Sequence, residues 1–211
     1  MTATVRKPRR RGAVTSIRVL ERRGRVWDQI VGVAGRLMAE RGIGAVIVEQ
    51  ILLGAGVSRG SFYSYCRNKT DLVVAIIAPV FDEGIAVLTP MAEAPATDVV
   101  PGIVTLYLDL WQRHRHALLL IPGIDAAAFA RLRPRHLAFT GAMQAALERS
   151  AAAGQLRNGS ADYSFRVIAR TAVPLLRVYG DHPDAARLYR DSLTALLASH
   201  GAQRRIVPET S

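Results

Sequence analysis

Cysteine, apolar runs of membrane length and alternating apolar–polar segments are all scarce in this chain of 211 residues. The single cysteine, Cys66, can form neither an intrachain disulfide nor a cysteine zinc site, which fits a reducing cytoplasm. The basic N-terminus lacks an apolar core of signal-peptide length, and the longest apolar run, 72–81, is too short to span a bilayer. We therefore expect a soluble, cytoplasmic protein with no membrane partner.

Sequence motifs of catalysis and metal binding are missing as well. The chain has no phosphate-cradling glycine loop and no nucleophile elbow. His114 and His116 are two residues apart, and on a helix they would point about 200° apart, too far to chelate one ion. We expect neither an enzyme nor a metal or cofactor site. An enzyme built on a helical bundle would need a titratable pair that converges in a polar pocket.

Positive charge is what the chain has in excess. Its formal net charge of +11 indicates an anionic partner more strongly than it indicates any fold. Residues 1–25 contain nine Lys and Arg against one acid, Glu21, which is a net charge of +8. A segment of this kind either enters a DNA minor groove and neutralises phosphates, or is a mobile, solubilising arm. The cations concerned are Arg6, Lys7, Arg9, Arg10 and Arg11.

Helical periodicity dominates the rest of the chain. Apolar positions over 25–41 recur at three- and four-residue steps and predict one amphipathic helix. Two short helices are predicted over 46–53 and 58–65, and Asn68 can cap a fourth. The pattern predicts an all-α protein. Pro and Gly predict later breaks near 89–97, 121–124, 133–134, 154–160 and 180–183.

The segment 55–72 carries the most information about function. Ser58 is placed to cap a short helix by accepting a hydrogen bond from the Ser61 backbone N–H, and Val57 and Phe62 have the spacing of a hydrophobic staple. A short polar helix fixed on a turn has the shape of an element that enters the DNA major groove. The predicted core positions around it are Leu37, Ile51, Val57 and Phe62.

Four runs of residues carry a family resemblance: Met38-Ala39-Glu40-Arg41-Gly42, Val48-Glu49-Gln50-Ile51, Ala55-Gly56-Val57-Ser58-Arg59-Gly60-Ser61-Phe62-Tyr63-Ser64-Tyr65 and Lys69-Thr70-Asp71-Leu72. Through them, residues 25–72 resemble the DNA-binding domain of the TetR (tetracycline-repressor) family of bacterial transcriptional regulators. This chain has Val46 and Ile47 where the family usually has Thr, so it lacks the hydroxyl that caps the second helix. The remaining residues resemble the family only in length and helix content.

The resemblance implies an all-α fold. An N-terminal three-helix helix-turn-helix DNA-binding domain would precede a larger C-terminal helical domain for regulation and dimerisation. We assign a basic, mobile arm to 1–22, the DNA-binding domain to 23–70, the ligand-binding and dimerisation domain to 71–200 and a disordered tail to 201–211.

The predicted short helix would be the recognition helix. Arg59 can make a bidentate contact with guanine or grip a phosphate, and Ser61 can donate to a base edge or a phosphate. The resemblance implies that Tyr63 and Lys69 bind backbone phosphates. The alternatives are a solvated, uninvolved Arg59 and aromatic core positions for Tyr63 and Tyr65. The predicted DNA-contacting residues are Gln50, Ser58, Arg59, Gly60, Ser61, Tyr63, Ser64 and Lys69.

By the same resemblance, the C-terminal domain would hold an effector pocket among its middle helices and a dimer surface on its last two, roughly 162–179 and 184–199. The pocket candidates share helical spacing with ordinary core residues; they are Tyr107, Trp111, His114, Phe129 and Met143. The dimer candidates share helical faces; they are Val167, Thr171, Leu175, Val178, Leu193 and Leu196. A twofold dimer suits DNA recognition, because two short helices one DNA turn apart read a palindrome.

The sequence therefore favours a ligand-responsive transcriptional repressor. It would bind a palindromic operator in double-stranded DNA as a homodimer and be released by a small apolar or aromatic effector. The alternative is a non-specific architectural DNA-binding protein, in which the basic arm dominates binding and the helical domain only dimerises. Strong salt-dependent binding without sequence preference is typical of this alternative.

Overall fold

The computed structural model describes residues 11–199 and 201, with side chains from Glu21 onward. This part of the chain forms eight α-helices, one 3₁₀ turn at Ile121–Gly123 and no strand, which confirms the predicted all-α fold. The helices are α1 (Arg11–Arg41), α2 (Val48–Ala55), α3 (Arg59–Tyr63), α4 (Lys69–Met91), α5 (Ala96–Leu120), α6 (Ala126–Ala152), α7 (Ala161–Tyr179) and α8 (Ala185–Leu197).

The chain divides into two compact units between Leu72 and Val73. The first unit contains α1, α2, α3 and the start of α4, and its core includes Ile30, Ile51 and Phe62, all fully buried. In the second unit, α5 contacts α6, α7 and α8, so it forms the centre of that helical bundle. Because α4 is one continuous helix across the boundary, it belongs to both units.

The first helix extends beyond its apolar pattern. The sequence predicts a helix from Arg25 and an arm over 1–22, whereas α1 begins at Arg11. Among the side chains that the structure describes, from Glu21 onward, the first buried one is Ile30. The expected arm is therefore helical over 11–22. The other residues of the predicted arm and tail lie outside the described residues; they include Arg6, Lys7, Arg9, Arg10 and 202–211.

The predicted break at 133–134 is wrong, because α6 continues through Pro134. A proline inside a helix removes one backbone hydrogen bond, which is a strong local signal for a break. Here Leu132 and Phe139 are buried on either side of Pro134, and this packing holds the helix together. Loops or a 3₁₀ turn occupy the four other predicted breaks.

Side-chain caps define where the helices of the second unit begin. An Asp125 carboxylate oxygen accepts from the Ala128 N–H at 2.7 Å at the start of α6. The Ser160 hydroxyl accepts from the Tyr163 N–H at 3.3 Å at the start of α7. These bonds satisfy backbone donors that a helix leaves unpaired at its first turn, so both starts are encoded locally.

Among the described helices, α4 alone is long and apolar enough, by length and composition, to cross a membrane. Several of its apolar side chains are core positions, since Leu72, Ile77, Val80, Phe81 and Leu88 are all buried. The helix also contains Pro79 and Pro90. This combination is typical of the central helix of a globular domain.

The contact between α4 and α6 generates a prediction about stability. A Cβ added to Gly84 would overlap the ring of Phe139, whereas a Cβ at Gly141 of α6 would meet no atom within 4 Å. We expect Gly84→Ala to lower the free energy of unfolding by about 1–3 kcal/mol through overpacking. Gly141→Ala is the matched control and should raise it by up to about 1 kcal/mol, because Ala favours a helix. Urea unfolding followed by circular dichroism measures both, and equal effects would contradict the packing argument.

Candidate nucleic-acid interface

The turn between α2 and α3 depends on one glycine. Gly56 ends α2 with φ +59°, a left-handed conformation that residues with a side chain rarely adopt. The next residue, Val57, donates its N–H to the Leu52 carbonyl at 3.1 Å. The chain therefore reverses within two residues, and α3 follows α2 at once.

The predicted cap of the recognition helix is confirmed. The Ser58 hydroxyl oxygen accepts from the Ser61 N–H at 3.1 Å, and Ser58 itself has extended backbone angles. The helix covers Arg59–Tyr63, which is shorter than the predicted 58–65. Phe62 is fully buried, as predicted, and anchors this single turn in the core of the first unit. Val57, a predicted core residue, is only half-buried.

The outer surface of α3 presents hydrogen-bonding groups. Arg59, Gly60 and Ser64 are exposed, and the Tyr63 ring is 45% exposed and meets Phe62 edge to face at 5.3 Å. The Ser64 hydroxyl donates to the Ser61 carbonyl at 2.6 Å, so its donor is used within the turn. Tyr63 is therefore a surface residue and not core.

Tyr65 has the opposite environment. Its ring is half-buried and stacks on Trp27 of α1, with ring centroids 5.8 Å apart. The Arg23 guanidinium lies 5.5 Å from the centre of the same ring. This stack ties the end of the recognition segment to α1 and supports a packing role for Tyr65.

Arg59 is paired with an acid in this structure. Its guanidinium donates to the Glu49 carboxylate of α2, and both side chains are more than half exposed. A backbone hydrogen bond at the start of α2 lowers the pKa of Glu49, and the charge of Arg59 adds to that effect. Since an exposed ion pair contributes little to stability, the guanidinium can exchange Glu49 for an anionic or guanine partner at small cost. Sequence reasoning missed Glu49, because its partner is ten residues away.

The start of α2 lacks the side-chain cap that a threonine would provide. Ile47 occupies the cap position and makes no side-chain hydrogen bond to the helix. The Gln50 side-chain oxygen instead accepts from the Ile47 N–H at 3.1 Å. Gln50 therefore supports the helix start with its oxygen, which leaves its amide group as the donor for a predicted phosphate contact.

Lys69 has a structural role that the resemblance does not imply. Its ammonium donates to the backbone carbonyls of Ile43 at 2.9 Å and Val46 at 3.2 Å, in the loop between α1 and α2. The side chain is half-buried and bridges the start of α4 to that loop. Phosphate binding by Lys69 stays a prediction, and it would have to share an ammonium that already has two acceptors.

The start of α4 is capped as predicted. The Asn68 side-chain oxygen accepts from the Asp71 N–H at 2.8 Å, and Asp71 in turn accepts from the Arg67 N–H at 3.0 Å. Cys66, just before this cap, is buried, and burial raises the pKa of its thiol to about 11. The thiol is thus protonated at neutral pH and packs in the core.

A cavity of about 320 Å³ lies within the second unit. Four polar side chains, Tyr107, His136, Thr140 and Arg177, contribute to its wall. The apolar lining comes from α4 to α7 and the 3₁₀ turn and consists of Val80, Phe81, Leu110, Leu118, Leu119, Ile121, Pro122, Phe139, Phe165, Ile168, Ala169, Val173 and Pro174. This mixture of an apolar wall and a few polar groups is typical of a small-molecule site.

Of the predicted pocket residues, only Tyr107 lines this cavity. Met143 is fully buried core, and Phe129 is 42% exposed. Trp111 carries the Arg115 guanidinium 5.2 Å from its ring centre. These three residues and His114 do not line this cavity, and their role in ligand binding stays a prediction. Helical spacing identifies a buried face without showing which neighbouring face it meets.

His114 marks a kink in α5 instead. Its backbone angles, φ −132° and ψ 29°, are not helical, and its Nε2 lies 2.6 Å from the Glu83 carboxylate of α4. Arg113 donates to the other oxygen of Glu83 at 3.0 Å. Although burial opposes it, His114 first and then Arg113 lower the pKa of Glu83. This cluster joins α4 to α5 next to the cavity wall.

The predicted dimer residues differ in accessibility. Val178 is 74% exposed and Leu196 is 41% exposed, whereas Leu193 is fully buried within the protomer. Leu193 packs inside the protomer, whereas Val178 and Leu196 are open to a partner chain, and all interface assignments stay predictions. The remaining candidates, Val167, Thr171 and Leu175, are half-buried.

The chain is similar to known proteins in one stretch of its sequence and in its fold. Residues 30–76 match the family described as bacterial regulatory proteins, tetR family. No curated protein sequence matches the chain significantly. Among solved structures, the chain is similar to the ketosteroid transcriptional regulator KstR2 of Mycobacterium tuberculosis, with a TM-score of 0.71, 20% identity, and coverage of 85% of this chain and 96% of that one.

Two further structures have the same fold. A bacterial regulatory protein in the tetR family from Rhodococcus RHA1 has a TM-score of 0.67 and 19% identity, covering 82% of this chain and 97% of that one. SmeT, the repressor of the Stenotrophomonas maltophilia multidrug efflux pump SmeDEF, has a TM-score of 0.61 and 22% identity, covering 87% and 94%. A second structure of SmeT, in complex with triclosan, has a TM-score of 0.61 and 22% identity, and the match covers 88% of this chain and 96% of that one. At these identities the likeness establishes the fold.

The cap of α3 can be tested directly. Ser58→Ala removes the acceptor for the Ser61 N–H, so we expect a loss of about 0.5–2 kcal/mol in the free energy of unfolding. Ser61→Ala, within the same turn, retains that bond and should be nearly neutral. Urea unfolding measures both variants. If the two were equally stable, Ser58 would not be the residue that holds the helix start.

Proposed function

Since residues 30–76 match the tetR family of bacterial regulatory proteins, we propose that this chain is a cytoplasmic transcriptional repressor of that family. It binds a palindromic operator as a homodimer and is released by a small-molecule effector. The observation that carries this proposal is the Ser58-capped turn, which leaves Arg59, Gly60 and Tyr63 exposed on one short helix.

DNA recognition would use the exposed leading edge of α3. Arg59 exchanges Glu49 for guanine O6 and N7 or for a phosphate, and Gly60 allows the backbone to approach the groove. Ser61 and the Tyr63 hydroxyl supply further donors. Such a short helix reads few bases, so two copies spaced by one DNA turn of about 34–36 Å are needed for selectivity.

Dimerisation would use α7 and α8. Both helices carry exposed apolar side chains, Tyr163 and Val178 on α7 and Leu196 on α8. The two helices also pack on each other, and the Tyr179 and Ser192 hydroxyls bond at 2.9 Å between them. A rigid helix pair with apolar residues on its outer side fits a self-complementary twofold interface.

Effector release would act through α4. Val80 and Phe81 line the cavity, and the same helix begins at Lys69, which holds the loop before α2. An effector that prefers one position of α4 would change the spacing of the two recognition helices in the dimer. That SmeT forms a complex with triclosan supports a small apolar effector for this fold.

The non-specific architectural protein remains the second candidate. The net charge of +8 over residues 1–25 favours it, because sequence-independent binding is driven by phosphate neutralisation. The two candidates differ in whether binding at physiological salt depends on the DNA sequence.

The decisive experiment is a fluorescence-anisotropy titration. We expect the protein to bind duplex from its own promoter region far more tightly than random duplex at physiological salt. Arg59→Ala should cost about 1–3 kcal/mol on the promoter duplex, the size of one good base contact. Arg36→Ala, an exposed arginine of α1 paired with Glu40 at 3.9 Å, is the control and should bind normally. Equal affinity for both duplexes would end the repressor proposal in favour of the architectural one.

The dimer surface has its own test. Val178→Glu places a charge at the exposed outer side of α7 and should convert the dimer to monomer in sedimentation-velocity runs, with weaker operator binding. Leu137→Glu makes the same kind of change at a 55%-exposed leucine of α6 and should leave the dimer intact. A wild-type monomer at micromolar concentration, or a dimer unchanged by Val178→Glu, would contradict this assignment.

A further inference from the structure

The cavity of the second unit is lined by a cationic side chain and by no acidic one. Arg177 is among its lining residues, and none of them is Asp or Glu. Arg177 is exposed, so it lies at the rim, and within the described residues it makes no ion pair. An arginine side chain only donates hydrogen bonds, and it suits carboxylates in particular.

The acids that lie next to the lining residues in α4 are already neutralised. Asp82 accepts from Arg135 at 2.8 Å, and Glu83 accepts from Arg113 and faces His114. Neither carboxylate is therefore left to compensate Arg177. An anionic group in the cavity meets a guanidinium without a competing internal partner.

The inner wall adds one neutral donor. Tyr107 lines the cavity and is buried. Tyr189 does not line the cavity; its hydroxyl is fully buried and has no partner within the described residues. Burial first, and the nearby Tyr107 second, raise the pKa of Tyr189, and burial raises that of Tyr107. Both phenols are therefore protonated at neutral pH, and Tyr107, which lines the cavity, can donate to a ligand that carries acceptors.

The remaining wall specifies the body of the ligand. The rings of Phe81, Phe139 and His136 form a cluster, with Phe81 edge to face on Phe139 at 5.8 Å and on His136 at 5.9 Å. The other lining residues are aliphatic apart from Phe165 and Thr140, whose hydroxyl donates to the Leu137 carbonyl at 3.1 Å. At about 320 Å³ the cavity is at the small end of ligand sites, which span about 300–1,000 Å³.

We propose that this cavity binds a small apolar carboxylic acid, with its hydrocarbon or aromatic body among the phenylalanine and aliphatic side chains and its carboxylate on Arg177. This inference rests on the proposed function in one respect, since it names the class of effector for the same regulator. A neutral or cationic apolar compound of equal size leaves the guanidinium without a partner and binds more weakly.

The test compares compounds that share a carbon skeleton and differ in the charge of their head group. Decanoate, 4-phenylbutanoate and 2-naphthoate are each titrated by calorimetry beside the methyl ester and the amine of the same skeleton. We expect at least one acid to bind tenfold or more tightly than its ester and its amine, the effect of one charge-assisted hydrogen bond. Arg177→Gln should remove that preference. Arg133→Gln, an exposed arginine of α6 outside the lining, should keep it.

Three outcomes overturn the inference: esters or amines that bind as tightly as the acids, an acid preference that survives Arg177→Gln, or no binding by any compound of the panel. Titrations of the same ligand-free proteins on promoter duplex show whether the carboxylate assignment or the repressor proposal has failed. Selective DNA binding with no acid preference removes only the carboxylate assignment. Absence of selective DNA binding removes the repressor proposal, whatever the calorimetry shows.

Discussion

The DNA-reading surface depends on how a five-residue helix is held. A single helical turn is unstable in water, because nucleation fixes several residues for one hydrogen bond. Here three local constraints replace length: the left-handed Gly56, the Ser58 cap and the burial of Phe62. Since the cap is on one side of α3 and the anchor faces the core, the remaining surface is exposed by default. The exposure of Arg59 and Tyr63 is thus a consequence of how the helix is anchored.

The pairing of Arg59 with Glu49 adds a second property to that surface. Without DNA, the acid cancels the charge of the residue that is best suited to read guanine. The pair is exposed on both sides, so it is weak, and a guanine edge or a phosphate competes with it on nearly equal terms. In the proposed complex, this pairing would reduce general attraction to any duplex, while a site that offers a bidentate partner would recover the contact. The excess charge of residues 1–25 acts in the opposite direction.

The features that sequence reasoning predicted are local ones. The caps by Ser58 and Asn68 join residues three positions apart, and the loops at 154–160 and 180–183 are short segments that contain Gly or Pro, so residue types and spacing define the geometry. The family motif added the roles of surface groups on α3. The partner of Lys69 lies in another loop, 23 to 26 residues away, and no spacing rule reaches that far.

The cavity shows why the rest was not predictable. Helical periodicity marks Met143 and Tyr107 alike as pocket candidates, yet of these two only Tyr107 lines the cavity. Which inward face is filled and which leaves a void depends on how four helices pack, a tertiary property. Arg177 would be classed from sequence as a surface cation at the end of a helix, a favourable place for any Arg. Only the structure shows that it borders an apolar cavity.

The two sites are joined by the covalent continuity of α4. Lys69 and Phe81 are twelve residues apart on one helix, about 18 Å at 1.5 Å per residue. Pro79 lies immediately before the cavity-lining pair Val80 and Phe81, and it cannot donate the backbone hydrogen bond that a helix residue at this position would make. In the proposed mechanism, a ligand at the cavity wall would contact α4 next to this missing hydrogen bond, on the same helix that begins at Lys69.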